Sequence, residues 1–270
     1  MKRLRLPTMG LLLLALTVLA TTVAADPNQG LEYEIKASDG RLIREVTGPI
    51  TDSVMGVPAQ PVDSFSWDGQ GITPINGSVQ LEIDPVANTG TIEARWTDEN
   101  GSWTLRQTSF APPDHPSGLT VGPDASSTEL IIGDPVTTNV YLHGNTTAGG
   151  PVLPTVFNLL ATWGPAEVTL NGHPFDNPYD GPAPLWVAHT MTTVGVRNDA
   201  GQVLTTDGSI FNMMNPADHA NGVTYDDELE FHLVFHDASG PVMTGNVPPP
   251  LSFFYHVTFQ GVKVKIRGRG

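Results

Sequence analysis

The chain contains no cysteine, and it is poor in positive charge. The lack of thiolates excludes a blue-copper centre, a thiolate zinc site and a thiol nucleophile. After residue 25, lysine occurs only at Lys36, Lys263 and Lys265, none of them in an apolar setting suited to Schiff-base chemistry. No apolar run after residue 25 approaches the roughly 20 residues that a membrane helix needs, so we expect no membrane span.

The usual short catalytic signatures are also missing. There is no Gly-x-Ser-x-Gly, no Ser-x-x-Lys, no His-Glu-x-x-His and no glycine-rich loop that ends in Lys-Ser or Lys-Thr. A catalytic site assembled from distant residues stays open, because such sites are recognised by geometry and not by sequence spacing.

The first 25 residues have the pattern of a secretory signal. Lys2, Arg3 and Arg5 precede an apolar run over residues 9–20, and Val23-Ala24-Ala25 supplies small residues for cleavage before Asp26. Because no cysteine follows, a lipid anchor on that residue is excluded. We therefore expect residues 1–25 to be removed and the remainder to be a soluble, secreted or periplasmic protein.

The exported part is strongly acidic. Three of the 13 basic residues and none of the 28 acidic ones lie in the signal, which leaves 10 basic against 28 acidic side chains, a formal charge of −18. A phosphate backbone would be repelled by this surface, so we expect no nucleic-acid partner. Cations and basic partners remain open.

Short alternating runs separated by glycine and proline indicate an all-β protein. Residues 31–36, 79–84 and 92–96 each alternate apolar and polar side chains, and the chain has 28 Gly and 24 Pro. We predict an antiparallel β-sandwich or a barrel-like architecture with long loops and no substantial helix after the signal. Further strands are predicted at 102–108, 128–132, 138–143, 155–162, 166–170, 185–190, 229–236, 252–259 and 262–267.

The domain organisation has two interpretations. The loop-rich segment 109–127 is the best candidate boundary, and it separates an N-terminal β region, 26–120, from a C-terminal β region, 121–270. One continuous domain with long loops fits the same pattern.

Two local patterns predict strand register. If Asn100-Gly101 alone formed the turn between residues 91–96 and 102–107, Arg95 would face Arg106. We predict instead a four-residue loop, residues 98–101, which places Trp96 opposite Trp103 and Glu93 opposite Arg106. In the C-terminal segment the apolar positions change from odd to even at Gln260-Gly261, which predicts a bulge or bend there. Lys263, Lys265 and Arg267 then share one face, as in a protected edge strand.

Histidine and methionine are concentrated in the C-terminal half, where seven of eight His lie beyond residue 140. His189 and Met191 share a strand face, as do Glu230 and His232, and residues two apart on a strand are about 6.7 Å apart. The candidate metal ligands are His189, Met191, His219, Glu230 and His232. Imidazole with carboxylate suits zinc, iron or copper, and a methionine thioether favours copper. Copper and zinc are therefore the candidate cofactors, and the sequence does not establish that a cofactor is bound.

A simpler interpretation competes with the metal site. Histidine on the polar face of an amphipathic strand is usually solvated, and methionine usually fills a core. On that ground the polar side of residues 228–236 is expected to be wet. Trp96 and Trp103 are likewise expected in the core and not in a sugar-binding platform, because Ile92, Ala94 and Leu105 share their face.

A short stretch resembles a known family. His143-Gly144 followed by Gly150-Pro151-Val152 is similar to the His-Gly and Gly-Pro-Val signature of CHRD domains, which are exported β domains. The resemblance covers ten residues, so it transfers no function to this chain.

Three hypotheses for the function follow. The first is an exported binding or structural protein without catalytic machinery, with a metal-responsive patch in the C-terminal half. The second is a metal-dependent enzyme in which a bound water is the nucleophile. The third is an assembly module in which an exposed edge strand pairs with a protein partner.

Overall fold

The structure is a computed structural model of the chain. It describes residues 31–38, 42–47, 53–54, 57–58, 67–70, 72–112, 119–120, 129–130, 134–142, 153–178, 181–183, 185–212, 215–237 and 253–268. The predicted signal, residues 1–25, lies outside the described residues, as does the CHRD-like stretch, residues 143–152.

The described residues form strands and one short 3-10 helix, Pro216–Ala220. The strands are Leu31–Ser38 (β1), Leu42–Thr47 (β2), Ser53–Val54 (β3), Val57–Pro58 (β4), Thr73–Asp84 (β5), Thr89–Asp98 (β6), Gly101–Gln107 (β7), Leu119–Thr120 (β8), Glu129–Leu130 (β9), Val136–Leu142 (β10), Val156–Leu170 (β11), His173–Pro174 (β12), Trp186–Gly195 (β13), Tyr225–Asp237 (β14), Phe254–Gln260 (β15) and Lys263–Gly268 (β16). In this part of the chain no helix is long and apolar enough to cross a membrane.

The large sheet is antiparallel and curls into a barrel-like shape. Its strand order is β16-β1-β5-β2-β15-β14-β13-β11-β7-β6, and β6 also pairs with β5, so the sheet bends back on itself. Strands β10 and β12 both pair with β11. The predicted all-β, barrel-like class is therefore confirmed. The proposed division at residue 120 stays a prediction, although β2 pairs with β15 and β7 with β11 across it.

The concave, inner face of this sheet holds the main core. Every second side chain along a strand points to this face. The largest fully buried side chains of the main core are Trp96, Tyr33, Tyr255, Phe231, Phe235 and Phe259. Trp96 and Trp103 stack at 5.8 Å between ring centroids and are 2% and 3% exposed. The prediction of core burial for this pair is confirmed.

The hairpin of β6 and β7 has the predicted register. Trp96 lies opposite Trp103 and Glu93 opposite Arg106. The pairing continues to Asp98 and Gly101, so the connecting loop is the two residues Glu99 and Asn100 and is shorter than predicted. The tight turn is possible because Gly101 adopts φ 132°, a conformation that favours glycine.

Strand β11 is continuous where two strands were predicted, at 155–162 and 166–170. Gly164 does not interrupt the strand. Instead, it lets the segment after β7 pass close by, because a Cβ at this position would lie 2.7 Å from the carbonyl oxygen of Ser109. The amide of Ala111 donates to the carbonyl of Trp163 in the same passage.

The predicted phase change at Gln260-Gly261 is also present. Gly261 has φ 68° and separates β15 from β16, and Val262 turns inward to 8% exposure. Lys263, Lys265 and Arg267 are exposed on β16, and in the described sheet β16 pairs only with β1. The predicted edge strand is confirmed.

Candidate functional site

Strands β13, β14 and β15 carry polar side chains on the outer face, opposite the core. Phe231, Leu233 and Phe235 of β14 enter the inner core, so Glu230 and His232 face outward. Yet Glu230 is 0% exposed and His232 is 1% exposed. The expectation of a wet face is wrong for these two residues.

A second apolar cluster explains part of this burial. Its members lie on the same outer face, on β10, β11 and β13: Val140, Leu142, Ala161, Trp163 and Met191. A strand in such a position is buried on both faces. Alternation in the sequence reports that the two faces differ, and it does not report whether a second layer covers the polar one.

Four histidines surround Val234 on this outer face. His189 of β13 and His256 of β15 lie directly opposite Val234, one on each side. His232 and His236 precede and follow Val234 by two residues on β14 and therefore point to the same face. We call His189, His232, His236 and His256 the histidine cluster.

A chain of close polar contacts links Glu230, His232 and His256. The Oε2 atom of Glu230 lies 3.2 Å from Nε2 of His232, and Nδ1 of His232 lies 3.1 Å from Nε2 of His256. The hydroxyl of Thr258 lies 3.3 Å from the same Nδ1. The ring N–H direction at Nε2 of His232 is not aligned for a hydrogen bond, so its contact with Glu230 is electrostatic.

Two further donors hold the Glu230 carboxylate in place. The side-chain amide of Gln260 donates to Oε1 at 3.0 Å, and the backbone amide of Val196 donates to Oε2 at 3.3 Å. A buried carboxyl group needs such partners. Without them it would destabilise the fold by roughly several kcal/mol, the cost of removing the group from water. Glu230 is thus fixed behind the ring of His232.

The short distance between Nδ1 of His232 and Nε2 of His256 requires either a hydrogen on one of these nitrogens or a cation between them. Two unprotonated ring nitrogens at 3.1 Å would repel each other through their lone pairs. A proton on either nitrogen makes an N–H···N hydrogen bond. A metal ion between them would instead use both lone pairs.

His189 is held as a neutral ring. Its Nδ1 lies 2.9 Å from the carbonyl oxygen of Thr162, which accepts the ring hydrogen, and the ring stacks on Trp163 at 4.6 Å. Burial lowers the pKa of His189 to about 4; the Thr162 carbonyl opposes this shift, and His256, His232 and His236 add to it. Because Nδ1 carries the hydrogen, Nε2 keeps a lone pair.

The structure places four of the five candidate metal ligands on this outer face. His189 and Met191 lie on β13, and Glu230 and His232 lie on the adjacent β14, where Met191 faces His232. His219 is separate: it lies in the 3-10 helix, where its carbonyl accepts from the amide of Thr155 at 2.7 Å. Met191 packs in the second apolar cluster.

His256, Thr258 and Gln260 of β15 were not among the site residues predicted from the sequence. The signal was present, because these three alternate with Tyr255, Val257 and Phe259, which fixed the polar side of that strand. A single sequence does not show which strand pairs with β15. The pairing of β14 with β15, which brings His256 beside His232, depends on a connection 16 residues long, residues 238–253.

The side chains as placed form neither a complete metal site nor an accessible triad. Within the described ranges, no three His, Cys, Asp or Glu side chains are grouped to hold a metal ion. Thr258, His232 and Glu230 follow the hydroxyl–imidazole–carboxylate order of a nucleophile triad. Thr258 is 0% exposed, so its hydroxyl is out of reach of a substrate.

No family model, no curated protein and no solved structure matches this chain.

Proposed function

We propose that this chain is an exported, non-catalytic binding protein that takes up one transition-metal ion at the histidine cluster. The observation that supports it best is the buried contact of 3.1 Å between Nδ1 of His232 and Nε2 of His256. Two imidazole nitrogens bound to one tetrahedral ion lie at a similar separation, because each metal–nitrogen bond is about 2.0–2.1 Å.

The chemistry of the cluster favours zinc or copper(II). Neutral imidazole suits both ions, whereas copper(I) prefers soft sulfur ligands. Met191 is the only candidate sulfur ligand on the described part of β13 and β14, and it packs among apolar side chains at 1% exposure. An all-nitrogen set is therefore the better supported one.

Burial is the reason for proposing binding in place of catalysis. A catalytic zinc site keeps one coordination position open to water or substrate. Glu230, His232 and Thr258 are all at or below 1% exposure. The metal-dependent enzyme would need a path to these groups, so it is the less supported alternative.

Export rests on the signal pattern of residues 1–25 alone. It fits the lack of thiols, because a histidine site keeps its ligands unchanged in an oxidising compartment, where thiolates are prone to form disulfides.

Metal analysis tests the proposal. The full-length gene is expressed in a bacterial host, and the exported protein is purified without added metal, incubated with zinc chloride and desalted. We expect about one zinc ion per chain by elemental analysis, and loss of that ion after EDTA treatment. A desalted protein with less than about a tenth of an ion per chain would contradict the proposal.

A further inference from the structure

Three of the five large apolar side chains that the described residues expose lie at one end of the sheet. Leu31 is 42% exposed, Val86 is 69% exposed and Ile266 is 46% exposed. Leu31 begins β1, Val86 lies in the turn that follows β5, and Ile266 lies near the end of β16. Because β1 is antiparallel to both β5 and β16, these three positions are at the same end of the sheet. We call Leu31, Val86 and Ile266 the apolar end.

The strand register places two of these side chains together. Ile266 lies opposite Tyr33, and Leu31 precedes Tyr33 by two residues, so both share the face of Tyr33. Leu31 and Ile266 are therefore diagonal neighbours, which lie about 7–8 Å apart on one face of a sheet. Tyr33 is 1% exposed and belongs to the main core, so the apolar surface of the core continues outward into these two exposed side chains.

Basic side chains flank the apolar end. Lys265 and Arg267 precede and follow Ile266 on β16, are exposed, and point to the opposite face of the strand. On that face, β1 and β16 together carry four basic side chains and two acidic ones, namely Lys36, Lys263, Lys265 and Arg267 against Glu32 and Glu34. The two strands therefore have a small excess of positive charge, on a chain that is acidic as a whole.

The size of the apolar end favours a lipid surface over a second protein chain. A stable interface between folded proteins buries about 1,200–2,000 Å² in total, and three side chains supply only a small part of that area. Peripheral binding to a bilayer needs less. Apolar side chains enter the boundary between the headgroups and the acyl chains, and basic side chains beside them are attracted to the lipid phosphates.

The position of Leu31 in the chain supports the same partner. Leu31 follows the apolar run of residues 9–20 by 11 positions. In the signal proposed above, this run enters the membrane during export. Leu31 is then the first described residue to emerge beside the bilayer.

We propose that the apolar end docks this protein peripherally on a phospholipid surface. Leu31, Val86 and Ile266 enter the headgroup region, and Lys265 and Arg267 bind lipid phosphates beside them. This contact does not depend on metal binding at the histidine cluster, which lies on β13, β14 and β15.

A single fluorescent label tests the contact locally. Because the chain has no cysteine, Val86→Cys and Leu185→Cys each create one attachment site for an environment-sensitive dye. Vesicles of phosphatidylcholine and phosphatidylglycerol should shift the emission of the dye at position 86 to shorter wavelength, because the dye leaves water. The emission of the dye at position 185 should not change.

Leu185 is the matched control because it is 46% exposed and lies away from the apolar end. The next residue, Trp186, stacks on Phe175, and Phe175 contacts Trp103 near the turn between β6 and β7. The apolar end is instead beside the turn between β5 and β6.

Two results would overturn the proposal. One is an emission at position 86 that vesicles leave unchanged, or that shifts equally at position 185. The other is a shift at position 86 that appears without vesicles and grows with protein concentration, which would mean that a second copy of the chain covers the apolar end.

Sedimentation of the purified, unlabelled chain with the same vesicles tests the side chains themselves. Leu31→Ser combined with Val86→Ser and Ile266→Ser should weaken vesicle binding at least about tenfold, because three apolar side chains no longer leave water. Leu185→Ser combined with Ile210→Ser replaces the other two exposed apolar side chains and should bind like the wild type. Equal binding of the two variants would contradict the proposal.

Two checks accompany these assays. Circular dichroism verifies that each variant is folded, and the label at position 86 tests the contact even if the triple variant is not. Intact-mass measurement shows whether residues 1–25 are still attached, and the label reports the contact of the apolar end in either case.

Discussion

At the scale of single residues, the unusual feature is a set of polar side chains that have lost contact with water. Glu230, His232 and His256 are each at most 4% exposed, and short polar contacts link Glu230 to His232 and His232 to His256. Burying such groups destabilises a protein unless they are paired. Removal of any one partner should therefore lower the free energy of unfolding.

Glu230→Ala should destabilise the protein by about 2–4 kcal/mol. The substitution leaves the Gln260 side-chain amide and the Val196 backbone amide without the acceptor that they share. Urea unfolding followed by tryptophan fluorescence, in the presence of EDTA, measures the change. The matched control is Glu167→Ala, whose carboxylate is exposed and 4.0 Å from Arg106, and which should cost less than about 0.5 kcal/mol. Equal costs for the two variants would mean that the buried network does not stabilise the fold.

The stability of the metal-free protein should depend on pH through His189. Its pKa is about 4 in the folded protein and about 6.5 when unfolded, so the unfolded chain binds the extra proton first as the pH falls. The contribution of neutral His189 to the free energy of unfolding is therefore fully present above about pH 6.5. It is lost as the pH falls from about 6.5 to 4. Since one pKa unit corresponds to about 1.4 kcal/mol, the loss should be about 1–3 kcal/mol.

The measurement is urea unfolding of wild type and His189→Asn at pH 7, 6, 5 and 4. The variant should lack this part of the pH dependence, whereas His173→Asn should keep it. An identical slope in the wild type and in His189→Asn would show that His189 is not the group responsible.

The residues of the site were only partly predictable. Same-strand pairs such as Glu230 and His232 follow from alternation alone, and they were found. His256 was missed because its place beside His232 depends on strand pairing, which periodicity does not specify. His219 was included on composition, and the structure places it in the 3-10 helix.

At the scale of elements, turn chemistry and cross-strand pairs set the register of the β6–β7 hairpin. Charge and aromatic pairing favoured Trp96 opposite Trp103, and the structure has this register. The side chain of Asn171 reinforces it, because it accepts from the amide of Ser102 and donates to the carbonyl of Asn100. The asparagine thus ties the end of β11 to the turn.

Gly101→Ala should destabilise the protein by about 2–3 kcal/mol. A Cβ at this position would lie 2.1 Å from Oδ1 of Asn171, and φ is 132°. Gly208→Ala is the control, since Gly208 also has a positive φ, 85°, but no atom within 4 Å of the added Cβ. We expect the control to cost about 1 kcal/mol, measured by urea unfolding. If the two variants cost the same, the contact with Asn171 does not constrain the turn.

Strand β16 presents an exposed edge that three positive charges protect. An unpaired edge can template pairing with another chain, and lysines on it oppose such pairing. The charges on β16 therefore support a strand that is protected against pairing better than they support an assembly module that pairs with another chain. The basic side chains also pair locally, since Arg267 and Lys36 both form ion pairs with Glu34.

Replacing Lys263 and Lys265 by threonine should increase self-association. The double variant removes two charges from the edge and adds β-branched residues that favour strands. Sedimentation velocity over a range of concentrations measures the effect. Arg95→Thr with Arg106→Thr is the control, because β6 and β7 are paired on both sides. Equal association of the two double variants would contradict the role assigned to the β16 charges.

At the scale of the whole molecule, alternation and turn residues were enough to predict an all-β, barrel-like fold. They could not predict the pairings between strands that are far apart in the sequence, such as β7 with β11 and β2 with β15, because these pairings depend on the twist and register of many strands together. They also could not reveal the second apolar cluster on the outer face, which turns a polar strand face into a buried site. The function proposed here depends on that second layer.

Native mass spectrometry of the purified chain after incubation with zinc chloride and desalting tests the central claim most directly. The account predicts one added zinc ion per chain in the wild type and in His173→Gln, and none in a variant that combines His232→Gln with His256→Gln. A wild-type mass without zinc, or an unchanged zinc adduct in the double variant, would contradict it.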